Sequence, residues 1–126
     1  VNTLLPDSKK AGILTISKST LSDAHLRAAN VPSDTPIGTT EDGAEFSRVI
    51  LNDELQLNTE LARTDNINAA LKMKTNHPDL GAIILECTNM SPYAEAIQEA
   101  VELPVFSIVN LVEWLHAGLK PKRFSS

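Results

Sequence analysis

Cys87 is the residue whose type and setting best suit it to chemistry. It is the one cysteine among 126 residues. It directly follows an apolar run, residues 81–86, and it lies shortly before Ser91 and Pro92, a pair typical of a helix start. Free backbone N–H groups and the positive end of a helix both stabilise a thiolate. A thiolate at this position can act as a nucleophile or as a general base.

Polar residues surround Cys87 in the sequence and recur at the end of an earlier apolar run. The Thr88 hydroxyl and the Asn89 amide, together with backbone amides, can hold a substrate carboxylate or another oxyanion. Thr15 and Ser17 end the apolar run of residues 11–16 and can donate hydrogen bonds to the same ligand. We therefore interpret these residues as a candidate binding site around Cys87.

Each of these residues also has a structural interpretation. A lone cysteine is commonly a small buried hydrophobe. The neighbouring Glu86 carboxylate opposes the thiolate unless it points elsewhere. Thr15 can equally serve the fold, and the hydroxyls of residues 17–20 can cap the next helix.

Several other kinds of site are excluded or disfavoured by the sequence. The glycines are isolated, so there is no glycine-rich phosphate loop, and no G-x-S-x-G motif is present. A single cysteine excludes an internal disulfide and a multi-cysteine zinc site, and it suits a reducing cytoplasm. The three histidines lack ligand spacing, so we expect no metal site.

Apolar runs of strand length alternate with helical patterns along the whole chain. This alternation predicts an α/β fold with a three-layer architecture, a parallel sheet flanked by helices. Ligands of such sheets bind outside the carboxyl ends of the strands, where Thr15 and Cys87 both fall. The predicted strands are residues 11–16, 36–40, 81–86 and 103–108, and the predicted helices are residues 21–29, 43–51, 58–75, 91–101 and 111–119.

Composition and charge narrow the class of protein. Hydrophobic residues make up 42% and charged residues 21%, which is typical of one soluble globular domain over residues 1–126. The formal net charge of −5 disfavours non-specific binding to nucleic acid. No apolar run approaches the length of a membrane span, so we expect no membrane partner.

The stretch GAIILECTNMSPYA, residues 81–94, resembles the second cysteine motif of the aspartate/glutamate/hydantoin racemase superfamily. Residues 11–21, 45–51 and 103–119 are also similar to that family. The resemblance covers nearly the whole chain but only about the carboxyl-terminal half of a typical member. It implies a fragment equivalent to the second lobe plus the closing carboxyl-terminal helix.

The resemblance implies a racemase, an isomerase that needs neither pyridoxal phosphate nor metal. One cysteine of each lobe acts on the carbon next to the carboxylate of a small acid or amino acid. Cys87 matches the second-lobe cysteine, Thr88 and Asn89 match carboxylate-binding positions, and Thr15 and Ser17 match the loop that faces the same cleft.

The departures from the family pattern leave alternatives open. A racemase needs a base on each face of the carbon, and this chain has one cysteine. The second base would have to come from a missing amino-terminal lobe or from a homo-oligomer. Asn89 stands where glutamate racemases commonly have histidine, which argues against glutamate as the substrate. The alternative function is a non-catalytic module that binds a small carboxylate, or an inactive truncated relative.

Overall fold

Four short apolar runs form one parallel sheet in the computed structural model of the chain, which describes residues 1–125. The strand order is β2-β1-β3-β4, and all three neighbouring pairs run parallel. The two central strands are apolar on both faces, as expected for strands buried in a parallel sheet. The strands are β1 (Lys10–Thr15), β2 (Ile37–Thr39), β3 (Leu80–Leu85) and β4 (Val105–Phe106).

Helices connect the strands and flank the sheet. A short 3-10 helix, Asn2–Leu4, precedes β1, and a second one, Thr88–Tyr93, follows β3. The predicted α/β class, with a parallel sheet flanked by helices, is therefore confirmed. The α-helices are α1 (Asp23–Ala28), α2 (Phe46–Leu51), α3 (Thr59–Asn76), α4 (Ala94–Val101) and α5 (Ile108–Leu119).

One face of the sheet packs closely against α3. Leu14 and Ile83 are fully buried on this face, together with Met73 of α3. Gly12 allows the close approach, because a Cβ there would lie 2.7 Å from the Met73 Cε. The same methionine also crowds Gly38 on β2. This packed layer holds the carboxyl ends of β1 and β3 in a fixed position.

The opposite face of the sheet is only partly covered. Ile84 pairs with Phe106 in the register of β3 and β4, and both side chains are half-buried. They line a cavity of about 890 Å³ that lies between the 3-10 helix Asn2–Leu4 and α5. We call this space the sheet groove; its lining includes Val1, Thr3, Leu4, Ile84, Leu85, Glu86, Phe106, Ser107, Ile108, Asn110, Leu111 and Trp114.

Two predicted helix starts are wrong. Ser91 does not cap a helix: Pro92 lies inside the 3-10 helix, α4 begins after Tyr93, and the buried Ser91 hydroxyl has no hydrogen-bond partner within residues 1–125. The hydroxyls of residues 17–20 do not cap α1 either. Ser22 does so, because its side chain accepts a hydrogen bond from the His25 N–H.

Among the helices of residues 1–125, none combines the length and the apolar character that crossing a lipid bilayer requires.

Candidate functional site

The predicted site residues lie at the carboxyl edge of the two central strands. Thr15 ends β1, and Cys87 lies two residues beyond the end of β3. The strands are adjacent, with Leu14 opposite Leu85. The Glu86 N–H donates to the Leu14 carbonyl at 2.9 Å, which extends the pairing past the end of β3. The fold therefore brings both predicted loops to one edge of the sheet.

Cys87 connects β3 to the 3-10 helix Thr88–Tyr93. Its backbone is extended, with φ −83° and ψ 127°, and it occupies the N-cap position of that helix. The thiol is free, the residue is half-buried, and it packs against the edge of the main core. Its carbonyl accepts a hydrogen bond from the Met90 N–H at 3.0 Å, which fixes the turn. Cys87 is thus neither a sealed core residue nor a fully solvated one.

Thr88 and Asn89 begin the 3-10 helix, and both are exposed. The first N–H groups of a helix lack partners within the helix. Met90, the next residue, is fully buried and anchors the segment in the core. Thr88 and Asn89 therefore lie beside Cys87 on a helix that Met90 anchors in the core. Their predicted role in holding a carboxylate stays a prediction.

Thr15 and Ser17 are more buried than a simple ligand contact requires, at 2% and 5% exposure. The Thr15 hydroxyl donates to Glu86 Oε2 at 3.0 Å and accepts from the Ser17 N–H at 3.3 Å. Any ligand that takes a hydrogen bond from Thr15 must compete with the Glu86 carboxylate. These bonds show that Thr15 organises the edge; its predicted contact with substrate stays a prediction.

Glu86 is a site residue to which the sequence analysis gave no functional role. Successive side chains of an extended strand point to opposite faces, so Glu86 and Cys87 leave the end of β3 in opposite directions. Glu86 points toward Thr15 on β1 and lines the sheet groove, whereas Cys87 packs against the main core. This alternation was the available sequence signal. It places the carboxylate at the edge without directing it at the thiol.

The loops that follow β1 and β2 are tied together beside this edge. The Glu41 carboxylate accepts hydrogen bonds from the Ser19 N–H and the Ser19 hydroxyl, both at 2.9 Å. These bonds lower the pKa of Glu41, the backbone bond from Ser19 being the largest cause. Thr39 donates a longer bond of 3.3 Å to the same carboxylate. The loops beside the carboxyl edge therefore carry an ionised carboxylate, Glu41, that is hydrogen-bonded to hydroxyl groups.

Helix α2 supports the loop after β1 from beneath. The Ser47 hydroxyl donates to the Ile16 carbonyl at 2.9 Å and lies 2.7 Å from the Thr40 hydroxyl. The start of α2 is itself held by Asp65 of α3. Its carboxylate accepts hydrogen bonds from the backbone N–H groups of Ala44, Glu45 and Phe46 at 2.7–2.9 Å. Hydrogen bonds from the start of α2 to Asp65 and from Ser47 to Ile16 therefore fix the loop after β1 at the carboxyl edge.

Within residues 1–125, no group of three or more His, Cys, Asp or Glu residues has an arrangement that could hold a metal ion.

Comparison with known proteins gives two partial similarities. The chain is 40% identical over 41 residues to dimethylsulfoniopropionate lyase 5 of Emiliania huxleyi, which is 32% of this chain and 8% of that protein. It is 29% identical over 52 residues to a dimethylsulfoniopropionate lyase of Durusdinium sp. clade D, which is 41% of this chain and 17% of that protein. The matches therefore span a small part of each relative's length. No family model matches the chain, and no solved structure matches it significantly.

These findings correct the identification with the aspartate/glutamate/hydantoin racemase superfamily. The expected racemase, or isomerase, function is wrong as well, because both similar proteins are named as lyases. The alternative of a non-catalytic binding module or inactive relative gains no support from them. The physical reason for the error lies in the motif of residues 81–94. The motif places a thiol at the end of a buried strand. It does not determine which bond breaks after a proton is removed.

Proposed function

We propose that this chain acts as a lyase on dimethylsulfoniopropionate, or on a closely related sulfonium carboxylate, with Cys87 as the general base. The proposal is supported by the names of the two similar proteins and by the position of Cys87. The matched segments are short compared with those proteins, so lyase activity is a proposal for this chain.

The chemistry of the substrate defines what the site must do. The molecule has a carboxylate at one end and a positively charged dimethylsulfonium group at the other. A base removes a proton from the carbon next to the carboxylate. The carbon–sulfur bond then breaks, its electron pair leaves with sulfur, and a carbon–carbon double bond forms. The products are acrylate and neutral dimethyl sulfide, and the protonated base returns its proton to water.

The number of bases favours this reaction for a chain with one cysteine. Racemisation needs a proton donor or acceptor on each face of the reacting carbon, whereas β-elimination needs a single base. Cys87 supplies that one base, and it is the one cysteine in the sequence. The leaving group already carries a positive charge, so its departure needs no acid. The proposed reaction therefore needs one base, and it needs neither a second base nor an acid.

The observation that carries the proposal is the half-buried free thiol at the carboxyl edge of β3. In the proposed complex, Thr88 and Asn89 hold the substrate carboxylate, which places the adjacent carbon against the Cys87 sulfur. Partial burial removes water from the thiolate and strengthens its interaction with the proton that it takes. Thr15 and Ser17 shape the floor of the same edge through their bonds to Glu86 and to each other.

The proposal is tested by incubating the folded chain with dimethylsulfoniopropionate and measuring both products. Gas chromatography of the headspace measures dimethyl sulfide, and proton NMR measures acrylate. We expect the two products in equal amounts. Dimethylsulfonioacetate is the matched control compound, because it lacks the second carbon and cannot undergo this elimination. Product from neither compound, or dimethyl sulfide without acrylate, would show that the chain is not such a lyase.

A further inference from the structure

Helix α5 is an apolar helix that lies outside the core. Its 12 residues include Ile108, Leu111, Trp114 and Leu115, yet none of its residues is buried. Trp114 is 72% exposed and Leu119 is 82% exposed. A helix with this much apolar surface is normally covered by another part of a protein. The described part of the chain provides no such cover.

The exposed apolar residues of α5 form a continuous stripe. Ile108, Val112, Leu115 and Leu119 follow one another at helical spacings of three or four residues, so they share one face. Leu111 and Trp114 lie on the adjoining side and line the sheet groove. Glu113 and Ala117 lie on the other side of the helix. We call the four-residue face the α5 stripe.

The sheet groove, in contrast to α5, is an apolar surface in which no helix of residues 1–125 lies. Its floor consists of Ile84 and Phe106, and Leu4 and Trp114 stand at its walls. Its volume is about 890 Å³. Parallel sheets in proteins are covered on both faces. In this chain one face has α3, while the groove leaves part of the other face open.

We propose that the chain forms a two-fold dimer in which the α5 stripe of each copy lies in the sheet groove of the other. One copy has one unpacked apolar helix and one uncovered apolar groove, so a reciprocal exchange satisfies both at once. Such an interface is isologous: the same two surfaces meet twice around the symmetry axis. This inference goes beyond the proposed function and does not depend on it.

The available area is sufficient for a stable interface. A standard interface buries roughly 800 Å² on each partner. A fully exposed large side chain presents on the order of 150–250 Å². With the exposed fractions of the α5 stripe and of the groove residues Val1, Leu4, Leu111 and Trp114, the apolar surface comes to roughly 900 Å² per copy. Isolated monomers rarely expose a patch of this size.

The charge distribution also favours a second copy. The chain carries a net charge of −5, but the segment that follows α5 contains Lys120, Lys122 and Arg123. An α5 stripe in the partner's groove brings this basic segment to an acidic protein. Glu86 lines that groove and provides one carboxylate at its edge. The basic segment thus offsets, at this contact, part of the repulsion between two copies that each carry a net charge of −5.

The dimer is tested by sedimentation velocity and light scattering over a wide range of protein concentrations. We expect a discrete species of twice the 13.7 kDa chain mass. Leu115→Glu places a charge in the α5 stripe, and Leu4→Glu places the same charge at the groove wall. Both variants should be monomers. Ala117→Glu is the matched control, since it adds the same charge on the other side of α5, and it should remain a dimer.

Circular dichroism separates dissociation from unfolding in these variants. Leu4 and Leu115 are 74% and 59% exposed, so their replacement should leave the circular dichroism spectrum of the folded chain unchanged. A monomeric unaltered chain would overturn the proposal, and so would aggregates without a discrete mass. Dissociation by Leu115→Glu but not by Leu4→Glu would also overturn it, because pairing would then bypass the groove.

Discussion

At the scale of single residues, the site combines a thiol and a carboxylate that face different ways. Thr15 holds Glu86 through a hydrogen bond of 3.0 Å, on the face of the sheet opposite to Cys87. The carboxylate can therefore contribute charge to the edge without approaching the thiol closely. Under the proposed function, a cationic sulfonium group would gain from such a charge in the bound substrate. It would lose that gain as the neutral sulfide leaves.

Glu86→Gln tests this electrostatic role. The substitution keeps an acceptor for the Thr15 hydroxyl and removes the negative charge. We expect KM for dimethylsulfoniopropionate to rise about fivefold, a change of about 1 kcal/mol, while kcat does not fall, because the lost interaction favours the charged ground state. Initial rates across a range of substrate concentrations give both constants. Glu99→Gln on α4 is the control, and an equal rise in KM there would contradict a local effect.

At the scale of elements, the carboxyl edge depends on contacts between segments that are distant in sequence. Asp65 of α3 holds the start of α2, and Ser47 of α2 holds the loop after β1. Gly43 is required beside this carboxylate, because a Cβ there would lie 2.5 Å from the Asp65 Cγ. A local change in α3 therefore reaches the loop that carries Ser17.

Asp65→Ala should destabilise the fold strongly. It leaves three backbone N–H groups without their acceptor, two of them in buried bonds. We expect a loss of about 3 kcal/mol in the free energy of unfolding. Urea denaturation followed by circular dichroism measures it. Asp42→Ala is the matched control, because Asp42 is highly exposed and pairs with Lys72 at the surface. A loss within about 0.5 kcal/mol for Asp65→Ala would refute the capping role.

The elements that the sequence predicts well are those with a strong local signal. The apolar run of residues 81–86 becomes β3 at Leu80–Leu85, and Cys87 lies at its carboxyl end as predicted. The start of α4 differs from the prediction because buried Met90 draws the segment after Cys87 into a 3-10 helix before α4 begins. The support of α2 by Asp65 crosses about 20 residues of sequence, so no local pattern announces it.

The proposed reaction follows less directly from the sequence than the position of the thiol does. Proton removal next to a carboxylate is a first step shared by several reactions, and the motif of residues 81–94 describes only that step. The second step depends on the substrate's leaving group, which the motif does not contain. The count of one cysteine was the sequence feature that already argued against racemisation.

At the scale of the whole molecule, ionised carboxylates link the loops of an acidic protein. Hydrogen bonds from Ser19 lower the pKa of Glu41. The Asn58 N–H, followed by Arg48, lowers the pKa of Glu45. Because both values are lower in the folded state than in the unfolded chain, their stabilising contribution is complete above the unfolded pKa. It is lost as the pH falls through the folded pKa.

We therefore expect the chain to lose stability on acidification below about pH 4.3, the ordinary value for glutamate. Thermal unfolding at a series of pH values between neutral and acid measures this loss as a falling Tm. The double variant Glu41→Gln, Glu45→Gln should show a shallower fall with a lower Tm at neutral pH. A Tm that rises as the pH falls through this range would contradict the role of these carboxylates.

The most direct test of the central claim is the rate of dimethyl sulfide release by the unaltered chain and by Cys87→Ala. Loss of a general base costs about 10²–10⁴ in rate. We predict a loss of that size with an unchanged circular dichroism spectrum. Ser91→Ala, a change of similar size in the adjoining 3-10 helix, should retain activity. Equal release by the unaltered chain and Cys87→Ala would contradict the claim that Cys87 removes the proton.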